Sequence, residues 1–447
     1  MRYLSRLFQP VITIPKNAKI KNTEITCKSQ KLLLECGLIR PTSLGLFTIL
    51  PLARRALDKL EILIRSCIEA AGGQRMTLPM LSAASLWEKT GRLQEIGPEL
   101  MKIEDRHGKK YLLAPTHEEA MADLLADVGP LSYKQLPLLL YQISNKYRDE
   151  HRPKHGLLRA REFSMLDAYG VHASEECALR MYRAVSEAYT QLFRRLQLPV
   201  HRVSAPPGAM GGSVSHEWQL PAAAGEDQLW RCARCARAAL ESTGSCGTCG
   251  ADMHRENSIE VGHTFVLGTR YSAALRALCA PAAGPARPAH LSCYGVGLTR
   301  LLAASLEALS SEKSLRWPAA IAPYSVIIIG PKEGSKEWQV HGLEEINRLY
   351  ERISQTHEDD VIIDDRHNLT IGKRLMLADR MGYPHIVVVG KASLESPARY
   401  EVYRSADVTT SLQLLTEGEL LAALAAGGTG GTGDTSVHDD VKINSSA

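Results

Sequence analysis

The sequence predicts a multidomain chain that joins an α+β unit to a small α/β unit, and three observations carry that expectation. Helical and strand-like patterns are mixed from about Leu32 to Leu309. A proline-punctuated stretch, R-W-P-A-A-I-A-P, then breaks the composition at residues 316–323. From Tyr324 to about Leu424 the order is strand, helix, strand, helix, strand, the signature of a parallel sheet.

Within the first unit, residues 52–71 have the spacing of an amphipathic helix, closed by Gly72-Gly73. T-L-P-M-L after it reads as a short strand. Residues 174–196 form a second long helix, with Leu179, Tyr182, Val185, Tyr189 and Leu192 at helical spacing. Strand runs at residues 264–267 and 292–294 lead to a third helix over residues 298–309. In the second unit, V-I-I-I-G and I-V-V-V-G, ending at Gly330 and Gly390, are short buried strands. G-G-T-G-G-T-G-D-T after Ala426 is a low-complexity tail that needs no packed structure.

At 447 residues the chain has ample length for two or three cores. A formal net charge of +4 excludes a nucleic-acid coat, so any RNA contact is local. No apolar run approaches the roughly 18 residues that a membrane span needs. The first 23 residues carry Arg2, Arg6, Lys16, Lys19 and Lys21 and no acid, which fits a mitochondrial transit segment over about residues 1–30; the alternative is a basic N-terminus with no address.

The densest chemistry lies between Tyr141 and Tyr169, where two strand-like runs flank a basic loop holding Pro153 and Gly156. Strand alternation places Arg148 and Glu150 on one face, and Arg159, Arg161 and Phe163 on one face of the return strand. Such a hairpin can hold a nucleotide. Arg148 grips a phosphate or carboxylate, Glu150 accepts from an exocyclic amine, Phe163 stacks on a purine and Arg159 meets a second phosphate. A basic surface hairpin or RNA-binding patch is the plain alternative. The chain has neither G-x-x-x-x-G-K-[ST] nor G-x-G-x-x-G between strand and helix. Gly295-Val-Gly-Leu-Thr-Arg300 instead puts an arginine on the first turn of a helix after a glycine-softened strand end, within reach of a triphosphate.

The helix–strand element ending at Pro79, the Arg148–Phe163 hairpin and the Gly295–Arg300 helix stand in the order of the three class II aminoacyl-tRNA synthetase motifs. The chain resembles the prolyl-tRNA synthetases of bacterial and organellar type. The resembling segments are L-P-M-L-S-A-A-S-L-W-E-K-T-G-R, A-P-T-H-E-E, N-K-Y-R-D-E-H-R-P-K-H-G-L-L-R-A-R-E-F, G-G-S-V-S-H-E-W, I-E-V-G-H-T-F-V-L-G-T-R-Y-S and C-Y-G-V-G-L-T-R. D-D-R-H-N-L-T-I-G-K-R-L and G-Y-P-H-I-V-V-V-G-K resemble that family's anticodon-binding domain.

The resemblance implies an antiparallel-sheet catalytic domain over residues 31–312, an anticodon-binding domain over 321–425 and a tail over 426–447. It implies ATP with Mg²⁺, L-proline and tRNA(Pro) as ligands, a homodimer formed around residues 56–81, and the mitochondrial matrix as location. Thr116 and Glu118 match the T-x-E loop that receives the imino group. Arg148 would bind the α-phosphate and the amino acid's carboxylate, Glu150 adenine N6, Phe163 the ring face, and Arg159 and Arg300 the outer phosphates. Glu260 lies near ATP, while His263, Phe265 and Cys293 wall a pyrrolidine-sized pocket; a core histidine bonded to backbone is the alternative for His263.

Residues 226–257 stand where many bacterial relatives carry a large editing domain and are too few to form one. They hold Cys232, Cys235, Cys246 and Cys249, two C-x-x-C pairs ten residues apart, the spacing of a structural zinc ribbon or knuckle. Four thiols in a degenerate loop are the alternative. Arg366, Lys373 and Arg374 offer positive charge for RNA phosphates, or a solvated face. Two rival functions are a synthetase-like paralogue that no longer charges tRNA and an RNA-binding accessory subunit.

Overall fold

A proline at the first helical position and a glycine just past the last frame the first long helix, Pro51–Ala70. In the computed structural model, which describes residues 1–10, 25–241, 244–406 and 409–428, the second helix spans Glu175–Arg195. Ser174 caps it by accepting from the Cys177 N–H at 3.3 Å, with acids in its first turn and arginines in its last. The third spans Leu298–Leu309. All three helices lie on one face of a largely antiparallel sheet.

The sheet's central path runs His201–Ser204, Val214–Pro221, Met253–Gly268, His290–Gly297, Glu162–His172, Leu138–Tyr147 and Gly73–Arg75. Only the last pair is parallel. Period-two alternation sorts the side chains. Tyr141, Ile143, Leu166, Ala168 and Tyr294 join the core beneath the helices. Phe163, Met165, Phe265, Cys293 and Gly295 take the opposite phase and line a cavity on the other face. The same alternation that builds the core therefore lays the floor of the site.

The second unit has strand order Val361–Asp364, Val326–Ile329, His385–Val388, Arg399–Ala406, Thr409–Thr416. The first three are parallel, as the buried V-I-I-I and I-V-V-V runs predict. The last two add an antiparallel hairpin, which their polar alternation concealed.

The two units dock directly. Lys59 reaches Asp360 at 2.5 Å, Arg316 pairs with Asp379 at 2.9 Å, and Arg380 pairs with Glu35 at 2.6 Å. Residues 1–10 contribute as well. Arg2 pairs with Asp359 at 2.8 Å, the Ser5 N–H donates to Asp365 at 2.9 Å, and Gln9 donates to the Cys36 carbonyl at 3.1 Å. The remainder of the basic leader, residues 11–24, and the tail beyond residue 428 lie outside the described residues.

Three sequence expectations need correction. T-L-P-M-L is not a strand: the chain is irregular over residues 76–80, and only Leu81 begins the strand Leu81–Ala83. The hairpin strands stop at Tyr147 and restart at Glu162, so Arg148, Glu150, Arg159 and Arg161 sit in the connecting loop and do not follow strand alternation. The Arg161 side chain forms an ion pair with Asp149, and its backbone N–H bonds the Gly45 carbonyl at 2.8 Å. Arg374 is buried, donating to the carbonyls of Gly330 at 2.6 Å and Asp364 at 3.2 Å, and is a structural staple with no access to RNA.

Candidate active site

The strand Lys110–Leu113 turns through Ala114–His117 into the helix Glu118–Val128, placing two acids in its first turn, where the helix dipole favours them. Glu118 is 1% exposed. It accepts from Thr116 Oγ1 at 2.7 Å, from the Cys293 thiol at 3.0 Å and from Arg92 at 3.3 Å. Burial and the Glu118 charge push the Cys293 thiol well up, so it is a neutral donor.

Arg92 is the one buried cation of this pocket. It meets Glu119 at 3.1 Å, and its guanidinium lies 4.7 Å over Trp87 and 5.6 Å over Tyr271. Burial works against its charge, yet Glu119 and Glu118 more than offset that and raise its pKa. A buried carboxylate with two neutral donors and one charged donor keeps lone-pair capacity toward the cavity, which suits a substrate ammonium.

Beneath this loop runs a second polar layer. Lys146 and Asp167 are fully buried and 2.6 Å apart. Asp167 also accepts from Tyr169 at 2.7 Å and Gln142 at 3.0 Å, and His117 Nδ1 lies 3.5 Å from it. Tyr169 in turn accepts from the His117 N–H at 2.9 Å. Burial pulls the Lys146 ammonium down and would raise Asp167, but His117 and Lys146 hold that carboxyl below its usual range. The Thr116–Glu118 turn therefore rests on a charged, fully buried platform.

The nucleotide-facing half is built from the loop after Tyr147, the return strand and the third helix. The Arg148 guanidinium lies 5.1 Å over Phe163 and makes no hydrogen bond or ion pair among the described residues. Burial and then Arg300 beside it depress its pKa, outweighing the opposing charges of Glu260, Glu150 and Glu99. Arg300 is fixed by donating to the Leu158 carbonyl at 2.9 Å and the Glu260 carbonyl at 3.3 Å. His263 bridges Ser215 and Glu260, each at 2.8 Å, and stacks on Phe265 at 3.9 Å, so it is a wall residue rather than a backbone-bonded core histidine. Burial would raise Glu260, but His263, Arg300 and Arg148 hold it below the usual carboxylate range.

One cavity of about 380 Å³ takes in every expected residue of both halves except Arg159. Arg159 is instead held by Glu150 at 2.8 Å and Glu226 at 2.7 Å. Arg92, Lys146 and Asp167 were missed. Arg92 had a signal in T-G-R, and the other two are charged residues set in apolar strands.

Residues 101–309 match the tRNA synthetase class II core domain (G, H, P, S and T), and residues 325–424 match the anticodon binding domain. The chain is 45% identical over 416 residues to the probable mitochondrial proline–tRNA ligase of Homo sapiens, covering 90% of this chain and 86% of that one. The chain belongs to the class II prolyl-tRNA synthetases.

The proline–tRNA ligase of Anaplasma phagocytophilum (strain HZ) is 34% identical over 412 residues, covering 88% of this synthetase and 93% of that one. Two solved structures share the fold. Prolyl-tRNA synthetase from Cryptosporidium parvum, complexed with L-proline and AMP, has a TM-score of 0.71 at 17% identity and covers 89% of this chain and 74% of its own. The Giardia lamblia enzyme in complex with prolyl-adenylate has a TM-score of 0.73 at 19% identity, covering 88% and 73%. No helix among the described residues of this synthetase is long and apolar enough to cross a membrane.

Proposed function

We propose that this synthetase activates L-proline with ATP to prolyl-adenylate and transfers the prolyl group to tRNA(Pro) in the mitochondrial matrix, without editing in cis. The observation that carries the reading is the adjacency, in one cavity, of an acid-lined pocket and an unpaired guanidinium over an aromatic ring.

Thr116 and Glu118 receive proline's secondary ammonium, and Cys293, Phe265 and His263 bound its ring. Arg148 takes the amino acid's carboxylate and the α-phosphate. Glu150 reads adenine N6, Phe163 stacks on the ring, and Arg300 and Arg159 serve the outer phosphates, Arg159 by leaving Glu226. The carboxylate oxygen attacks the α-phosphorus in line and pyrophosphate departs; a terminal tRNA hydroxyl then attacks the acyl carbon and AMP departs. The side chains supply position and charge neutralisation, with no covalent step. Class II synthetases use Mg²⁺ with ATP. Here the Glu217 and Glu260 carboxylates, with ligand atoms within 4.8 Å of one another, are the oxygen donors that would hold that cation, and Mg²⁺ would offset the phosphate charge.

The anticodon-binding domain supplies the tRNA contact. A homodimer through residues 56–81 agrees with the exposure of Ile62 and Leu81 there. The matrix location rests on the basic leader and the mitochondrial relatives. Intact Thr116, Glu118, Arg148, Glu150 and Arg300 speak against a non-charging paralogue. The experiment is ATP–pyrophosphate exchange across the twenty amino acids. Exchange that depends on proline is expected, and exchange with none of them would leave the accessory-subunit reading.

A further inference from the structure

We propose that Cys232, Cys235, Cys246 and Cys249 bind one zinc ion as a four-thiolate structural centre that holds the 226–257 insertion in shape. Their four sulfurs lie within 4.8 Å of one another. The closest pairs cross between the two motifs, Cys232 to Cys249 at 3.4 Å and Cys235 to Cys246 at 3.5 Å. A disulfide needs about 2.05 Å, whereas four thiolates at about 2.3 Å from a tetrahedral zinc stand roughly 3.8 Å apart. The cluster has the second spacing, and all four cysteines are free thiols.

The backbone repeats itself around the cluster. In the first C-x-x-C turn the Cys232 N–H donates to the Arg237 carbonyl at 2.8 Å, and in the second the Cys246 N–H donates to the Ala251 carbonyl at 2.8 Å. The residue after each second cysteine is left-handed, Ala236 at φ 56° and Gly250 at φ 69°. An alanine adopts that conformation only at a steric cost, so something outside the turn must hold it. In the first turn the N–H groups of Arg234 and Cys235 also point at Cys232 Sγ, at 3.4 and 3.5 Å. Two such knuckles facing each other are the donor set of a closed zinc site.

The insertion has no apolar core to do this instead. Among the described residues of 226–257 only Leu229, Cys232 and Cys246 are buried. Its strand Asp227–Cys232 is held by pairing with Met253–Gly268, but the two cysteine turns beyond it have no apolar cluster to fix them, and a metal can supply that constraint. Four soft thiolates in tetrahedral array select zinc over the hard cations that suit the carboxylate-lined catalytic cavity. Arg234 and Arg237 donate to the Cys249 carbonyl and the Thr248 hydroxyl, placing two guanidiniums beside the negative charge that four thiolates and one Zn²⁺ leave.

The test is elemental analysis of full-length protein purified under reducing conditions without chelator, with zinc release followed as a mercurial titrates the thiols. About one equivalent of zinc, released as four thiols react, is expected. The Cys246→Ser/Cys249→Ser variant should lose the zinc, become cleavable by protease within residues 226–257, and keep proline-dependent exchange. Should that variant misfold, cobalt added to the reduced, zinc-stripped wild type should give thiolate-to-metal charge transfer and tetrahedral d–d absorption. Less than about one tenth of an equivalent of zinc, iron in its place, or a Cys232–Cys249 or Cys235–Cys246 disulfide would overturn the proposal.

Discussion

Cys293 donates its thiol to the Glu118 carboxylate at 3.0 Å, across 175 residues of sequence. The contact ties the T-x-E turn to the strand that precedes the third helix, and with it the imino-group acceptor to the pocket wall. Glu118→Gln removes a charge-assisted partner for the substrate, worth about 1.5–3 kcal/mol. Steady-state exchange should show KM for proline raised roughly ten- to hundredfold with KM for ATP within about twofold. Arg92 keeps Glu119 in this variant, so the fold should survive.

Asp167→Asn tests the platform under that turn. It leaves the Lys146 ammonium buried and unpaired, and breaking a buried pair from one side costs about 3–5 kcal/mol. Urea unfolding should show that loss. The Lys146→Met/Asp167→Leu double variant should lose less, because neither charge is then stranded. An undiminished midpoint for Asp167→Asn would show that the pair contributes nothing.

Acid should weaken the fold through three histidines. Burial pushes His172, His216 and His385 each from 6.5 to about 4. Their folded values lie below the unfolded ones, so between these limits the unfolded chain binds the extra protons. The stability they carry is whole above about pH 6.5 and is lost as pH falls towards about 4. Thermal midpoints measured across that window should fall with pH, and His172→Gln should flatten the slope. Midpoints that rise towards pH 4 would contradict the assignment.

Much of this was legible in the residues. The helices over residues 52–71, 174–196 and 298–309 were expected within a residue of their observed ends, because apolar residues at helical spacing and the Gly72-Gly73 stop are local signals. The buried runs ending at Gly330 and Gly390 announced parallel strands in the same way. The 399–416 hairpin was not seen, since polar alternation on an outer strand pair is a weak signal. In the site, every predicted cavity residue but Arg159 converges. Strand alternation could not foresee that Arg159 and Arg161 would swing to Glu226 and Asp149, because the loop departs from the pleat after Tyr147. The Lys146–Asp167 pair was hidden for a different reason: its partners meet only once two strands are in register, and the sequence gives no such register directly.

Editing should be absent in cis. The described residues between Gly225 and Asn257 form strand pairs with two cysteine turns, and a stretch of this length leaves no room for a separate hydrolytic domain. Alanyl-tRNA(Pro) incubated with the synthetase should persist at the rate of the enzyme-free control. Accelerated deacylation would overturn this expectation.

The most direct measurement is proline-dependent ATP–pyrophosphate exchange by Arg148→Ala beside wild type, with circular dichroism and thermal midpoint confirming the fold. Arg148 is the unpaired cation between the two halves of the cavity, and removing such a preorganised donor should cost on the order of 3–4 kcal/mol of barrier, roughly 10²–10³-fold in rate. The account predicts exchange reduced by that factor or more in a folded variant. Exchange at the wild-type rate would contradict it.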